Sequence, residues 1–423
     1  MKSIINTFLP YYKHNNNLTL NVTLKNKVRF LFFYLDRFVY SPILQILLRN
    51  QNVKEQNVIK KIYKLKILNK LPLQFKKDKN DEKHHVKNQK YINKNSFECK
   101  EKMNDKIRNI KNDKINYYDH IEINALWPER ISYVQPFEVK KNLEKDKFNV
   151  IYIGHMSILI QTSKYNILID PVLSNRIGFC NILGVKRIIK PGINFEHLPS
   201  IDFILLSNNR YDTMDKTTLK NIILRDNSIV IGGMNIRRYL LKRNFPVVYP
   251  LNWFNKLSFE NISFYYLPTL TNSHRFLVDK NVYLPGSFLI HDSSTNATIF
   301  YSGHSGYSNH FLQIKNYVNN VVLKRNNHID LSILPIGIYK PDSLYNNFHM
   351  SPREALQVSI HKNSHFDLGS KQSLGIGTDV FCLGGEEYKE ATKELTHILD
   401  SYQKKNNNKI TFVTLQPGEN FII

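Results

Sequence analysis

Cysteine is scarce in this 423-residue chain. Cys99, Cys180 and Cys382 stand too far apart for a disulfide framework or a thiolate zinc site. That scarcity points to a reducing, intracellular compartment. Long hydrophobic runs are missing too: no stretch of eighteen or more uncharged apolar residues occurs, so no spanning helix is expected. Acidic charge is nearly absent from one end, where the first fifty residues hold Asp36 alone against seven basic residues. The glycines of "SGHSG" and "LGSKQSLGIGTDVFCLGG" lack the Gly-Lys-Ser/Thr ending of a P-loop, which argues against nucleotide binding. No zinc-finger or RRM-like pattern accompanies the basic residues, so nucleic acid is not the expected partner.

What is present is apolar enough to fold. Hydrophobic residues make up 42% of the chain, sufficient for one large or two ordinary domains. The net charge is +24, and it is unevenly placed. Residues 1–147 carry 31 basic and 15 acidic side chains, against 28 and 20 in the remainder. A block of this kind favours polyanions, an anionic membrane surface among them, although Lys, Asn and Ile abound throughout the chain and drift in composition would produce the same excess. Residues 1–50 include "VRFLFFYLDRFVYSPILQILL", an apolar stretch broken by Arg29, Asp36, Arg37 and Pro42. It suits an amphipathic helix lying in a membrane interface or packed on the main domain. Residues 51–117 are rich in Lys and Asn and read as a disordered linker; His84-His85 within it is an isolated pair without metal-site spacing.

From residue 118 to 423 the pattern changes to short β-branched and aromatic runs bounded by turn residues. "SILIQTSKYNILIDP" reads as two strands joined at Ser163–Asn166. Ser351 and Pro352 mark a helix start in "SPREALQVSIHK". In "EEYKEATKELTHILDSYQ", Tyr388, Ala391, Leu395, Leu399 and Tyr402 fall on one helical face. Mixed strands and helices of this kind predict an α/β sandwich with helices outside its sheets. One run, "IDFILLSNNRYDTMD", is an apolar strand that stops at a polar knot, as metal-bearing strand ends do, yet Asn208, Arg210 and Thr213 stand where histidines would serve.

"YIGHMSILIQTSKYNILIDPVLSNRIG", "IDFILLSNNRYDTMD", "YSGHSGY" and "LPIGIYKPDSLYNNFHMSPREAL" follow one another in the order and spacing of the metallo-β-lactamase superfamily. Within it the sequence resembles the N-acylphosphatidylethanolamine-hydrolysing phospholipase D family, from about Asp119, with the Trp-Pro segment "NALWPER", to Gly418. The resemblance implies a four-layer αββα sandwich, here behind a basic, partly disordered N-terminal extension. It also implies two zinc ions that activate a water and clamp a phosphodiester. The family's ligand positions fall on Asn208, Arg210, Asp212, Thr213, Thr271, His304 and Gly377. Asp212 alone keeps the family's residue, so no metal is expected; zinc would need a rebuilt set around Asp212 and His304, with Asp215 or His274 as a third ligand. His155 and Asp170 lie in flanking motifs and are read as loop-tying residues. By the same resemblance Asp212 and His349 are the candidate catalytic residues; the fixed charge and planar fork of Arg210 make it, with His304, the candidate phosphate binder.

The functional expectation is therefore a catalytically degenerate relative of that phospholipase family, binding anionic phospholipid or acting as a scaffold at a membrane. The alternatives are an active zinc phosphodiesterase that releases N-acylethanolamine and phosphatidic acid through a rebuilt site, and a nucleic-acid-associated protein. The resemblance also implies a homodimer. The expected location is peripheral to a membrane or cytoplasmic.

Overall fold

The structure is a computed structural model that describes residues 127–131, 148–178, 184–240, 247–275, 279–323, 328–359, 366–406 and 410–423. The segments assigned above to residues 1–50 and 51–117, with His84, His85, Cys99 and Cys180, lie outside the described residues.

Strands β1 (Asn149–Gly154), β2 (Ser157–Gln161), β3 (Asn166–Ile169), β4 (Arg176–Ile177), β5 (Val185–Lys186), β6 (Phe203–Leu206), β7 (Ile229–Gly233) and β8 (Val248–Leu251) come first. They are followed by β9 (Asn255–Phe259), β10 (Ile262–Leu267), β11 (Ser287–Asp292) and β12 (Ala297–Tyr301). The last are β13 (Ile329–Pro335), β14 (Ser370–Ile376), β15 (Thr411–Thr414) and β16 (Asn420–Ile422). Two seven-stranded sheets result, ordered β16-β1-β2-β3-β6-β7-β8 and β15-β14-β13-β12-β11-β10-β9, with β4-β5 as a small ribbon. The hairpin read at Ser163–Asn166 is present, closed by Thr162 N–H donating to Tyr165 O at 2.9 Å.

Alternation along the strands builds the layers. Val150 and Tyr152 of β1 face the core between the sheets, with Phe264 and Tyr266 of β10 and Leu331 and Ile333 of β13. Ile151 and Ile153 point the other way, onto the cluster that holds Leu219, Ile222 and Ile223 of the helix Lys216–Asp226. Tyr265 and Leu267 of β10 point onto a third cluster, where Phe311 and Ile314, Leu356, and Ala391 and Leu395 arrive from three helices. Each sheet is thus covered on both faces, which is why its strands read as continuous apolar runs. The architecture is the αββα sandwich.

The helix ends follow local chemistry. Ser351 and Glu354 form a capping box: Ser351 N–H donates to Glu354 Oε2 at 2.9 Å, and Glu354 N–H to Ser351 Oγ at 3.3 Å. The helix Glu390–Asn406 buries Ala391 and Leu395 and half-buries Leu399 and Tyr402; it starts two residues beyond Tyr388, at the turn where Lys389 takes φ 63°. Among the described residues no helix is long and apolar enough to cross a membrane.

Candidate functional site

Parallel pairing of β3, β6, β7 and β8, and of β12 to β15, sends several strand ends to one rim of the sandwich. Open α/β sheets carry their sites at such carboxyl ends. Here β1 delivers His155, β3 Asp170, β6 the loop 207–215, β12 His304, and the segment after β13 His349.

Asp212 is the centre. Its Oδ2 lies 2.9 Å from His304 Nε2 and 3.4 Å from His155 Nε2, and Arg210 Nε donates to its Oδ1 at 3.3 Å. The His304 and His349 rings are 4.7 Å apart, and Phe381 meets the His155 ring edge-on at 5.3 Å. All five polar residues are buried, Arg210 the least so at 7% exposed. Burial works to raise the Asp212 carboxyl, but the Arg210 guanidinium, then His304 and His155, hold it well below the usual carboxylate range. Burial pushes His304 down, against the pull of Asp212. An ionised Asp212 accepts from both imidazoles, which fixes each as the Nε2–H tautomer. The remaining ring nitrogens, His155 Nδ1 and His304 Nδ1, have no hydrogen-bond partner among the described residues.

Unusual backbone angles place these groups. At the β1–β2 turn Gly154 takes φ 132° and His155 φ 56°. Gly303 takes φ 62° and its α-carbon approaches Ser207 so closely that a β-carbon would stand 2.9 Å from Ser207 Cβ; only glycine fits before His304. Asp170, at φ 43°, accepts Ser207 N–H at 2.8 Å, Ser207 Oγ at 2.5 Å and Tyr301 OH at 2.7 Å, so it ties β3 to β6 and β12. Burial pushes its carboxyl up to about 7 despite the Ser207 and Tyr301 hydrogen bonds. The 207–215 loop is clasped from outside by Arg275. Its Nη1 donates to Met214 O at 2.7 Å, Asn209 O at 3.1 Å and Arg210 O at 3.4 Å, while its guanidinium stacks 3.9 Å from the Tyr211 ring centroid.

The structure brings Arg210, Asp212, His304 and His349 together as the sequence led one to expect, and it adds His155. It corrects the candidates for a third ligand. Asp215 is spent on capping the helix Lys216–Asp226, accepting Thr217 N–H at 3.1 Å, and Ser174 Oγ donates to it at 2.5 Å. His274 lies outside the group of possible ligands, which is His155, Asp212 and His304, with their donor atoms within 4.8 Å of one another. Asn208 turns to Asn272 O at 3.1 Å, and Thr213 to the carbonyls of Asn208 and Arg210. Gly377 offers only backbone, its N–H donating to His155 O at 3.0 Å. Neither the role of His155, which the sequence presents only as a loop-tying residue, nor that of Arg275 was legible, because their partners lie some sixty residues away.

A family profile described as a Beta-lactamase superfamily domain matches residues 165–362, from β3 through His349. Over residues 165–362 the chain matches the metallo-β-lactamase superfamily. Within that superfamily its relatives include N-acyl-phosphatidylethanolamine-hydrolyzing phospholipase D 1 of Caenorhabditis elegans, 24% identical over 63% of this chain and 74% of the worm protein. They also include the mitochondrial N-acyl-phosphatidylethanolamine-hydrolyzing phospholipase D of Saccharomyces cerevisiae, 28% identical over 54% of this chain. The aligned region spans 47% of the yeast protein, less than half its length. Among solved structures, a metallo hydrolase of Ignicoccus hospitalis matches 66% of this chain and 98% of its own, with a TM-score of 0.48 and 13% identity.

The superfamily implies bound metal, and the donor set tests that. A pair of zinc ions does not fit: among the described residues one carboxylate and two imidazoles make the whole potential ligand group. Zinc sites hold at least three protein ligands for each ion. The remaining charged neighbour, Arg210, is a permanent cation on Asp212 itself.

Proposed function

We propose that this chain is a metal-free, non-hydrolytic member of the phospholipase D branch, one that binds the phosphate of an anionic phospholipid rather than cleaving the diester. The observation that carries the reading is the Arg210–Asp212 contact, with Arg210 Nε 3.3 Å from Asp212 Oδ1. A two-metal hydrolase uses its ions to generate hydroxide and to neutralise phosphate oxygens. Arg210 can serve the second purpose through a planar guanidinium suited to phosphate, but it cannot lower the pKa of a bound water as a metal does. His349, whose ring lies 4.7 Å from that of His304, supplies a further donor. The net charge of +24 favours approach to an anionic membrane.

The test uses the full-length chain and vesicles of phosphatidylcholine with and without N-acylphosphatidylethanolamine. The native chain should sediment with the acidic vesicles and release no N-acylethanolamine, and Arg210→Ala should weaken binding about tenfold, as expected for one charge-assisted phosphate contact. Binding unchanged in Arg210→Ala, or turnover that a chelator abolishes, would sink the reading. A second reading, a rebuilt one-metal phosphodiesterase, is favoured by the His155–Asp212–His304 spacing. It predicts that same chelator-sensitive turnover.

A further inference from the structure

The three donor atoms at the centre of the site lie where a small cation would gather them, yet a cation of the protein's own already sits on the carboxylate. Ligand atoms around a tetrahedral zinc stand roughly 3.3 Å apart, given metal–ligand distances near 2.0–2.1 Å. In this chain His304 Nε2 and His155 Nε2 are 2.9 and 3.4 Å from Asp212 Oδ2. All three donors lie within 4.8 Å of one another, and the three residues are at most 4% exposed. We propose that His155, Asp212 and His304 form a latent single-metal site for a divalent cation of the zinc class, held closed in the native chain by the Arg210 guanidinium on Asp212. The ligand set is this chain's own, since His155 stands outside the seven positions that the resemblance assigns to zinc.

Two features keep the site closed. The first is charge. Arg210 Nε is 3.3 Å from Asp212 Oδ1, so a dication on Oδ2 would lie roughly 5 Å from a fixed positive charge; at an effective dielectric constant of about 20 that repulsion alone lowers affinity by well over 100-fold. The second is the outer hydrogen bonding. To ligate through Nε2, each neutral imidazole must move its proton from Nε2 to Nδ1. Metal-bound histidines normally give that Nδ1–H to a carboxylate, a carbonyl or water, and loss of such a partner costs about 10–100-fold in affinity. Both Nδ1 atoms here are buried without a partner among the described residues. Removing Arg210 therefore lifts the first obstacle and leaves the second, and the opened site should bind zinc in the micromolar range rather than the nanomolar.

This inference rests on the metal-free reading of the native chain, and the experiment separates the two. Full-length native protein, Arg210→Met and the double variant Arg210→Met/His155→Gln are dialysed free of metal and titrated with Zn²⁺ by calorimetry, and with Co²⁺ by visible absorption. Arg210→Met should take one equivalent with tetrahedral-type cobalt bands. The native chain should bind at least 100-fold more weakly, and the double variant should lose the site. A folded Arg210→Met that binds no more tightly than the native chain, or a double variant that retains the site, overturns the proposal. Should Arg210→Met fail to fold, Arg210→Gln, which keeps a hydrogen bond to Asp212 without the charge, is titrated against the same two outcomes. A native chain that itself carries zinc and cleaves diester would instead refute the non-hydrolytic reading.

Discussion

Removing Asp212 should cost more than removing Asp212 and Arg210 together. Asp212→Ala takes the carboxylate away from the Arg210 cation, which is 7% exposed, and leaves the Nε2–H groups of His155 and His304 without their shared acceptor. Breaking a buried pair in this way costs about 3–5 kcal/mol, because a buried charge loses its counter-charge. Arg210→Met is milder, about 1–3 kcal/mol, since two imidazole donors still face the carboxylate. In the double variant both members of the pair are gone, and replacing a buried pair by apolar groups is close to neutral; with the two imidazoles still short of their acceptor the expected cost is about 1–3 kcal/mol. The coupling energy should therefore be about 4 kcal/mol at mid-range and no less than about 1 kcal/mol. Equilibrium urea unfolding followed by tryptophan fluorescence, with Trp253 hydrogen-bonded inside the domain, gives all four corners of the cycle. The sign with pH is also set. The folded pKa of Asp212 is depressed, so its stabilisation is present above the ordinary carboxylate value near 4 and is lost only as pH falls through the lower folded value. Costs that add to within about 0.5 kcal/mol would refute the argument that Arg210 and Asp212 neutralise one another.

Two further outcomes follow from single residues. His310 is buried between Ser305 and Ser308, with Ser308 Oγ 2.6 Å from its Nδ1, and burial pushes it down to about 3. The unfolded chain then binds a proton below its ordinary value near 6.5 that the folded chain does not. Stability should fall by up to about 1.4 kcal/mol per pH unit from pH 6.5 toward 3, and denaturation series on His310→Gln should show a flatter profile. Gly377 takes φ 81°, and a β-carbon there would stand 3.1 Å from Met156 Sδ. Gly377→His, which would restore a family ligand in name, should instead destabilise by about 1–2 kcal/mol, seen as a melting temperature lower by a few degrees; an unchanged melt would contradict the strain.

The sheets were legible because periodicity and turn chemistry are local. Ser163–Asn166 closes its hairpin by neighbouring groups, and Ser351 caps its helix three residues from Glu354. The apolar strand that stops at Ser207 was equally plain, as were Asn208, Arg210 and Thr213 after it. Less legible was what these and their neighbours would meet. Asp215 looked like a ligand in the sequence, but a carboxylate just before Lys216 also serves a helix N-terminus, and folding uses it so. His155 looked like a loop residue, since nothing near it in the chain signals that it will meet Asp212, 57 residues on, and His304 beyond that.

The layered α/β class and the resemblance to the superfamily could be read from the sequence, because each is a matter of residue type and order along the chain. Tertiary structure alone decided that Arg210 turns onto Asp212 and that His155 completes a cluster with His304. It also decided that Arg275 clasps the 207–215 loop through three carbonyls. Those contacts depend on which strand ends meet at one rim, and strand order is fixed by the packing of the two sheets rather than by the residues nearest in sequence.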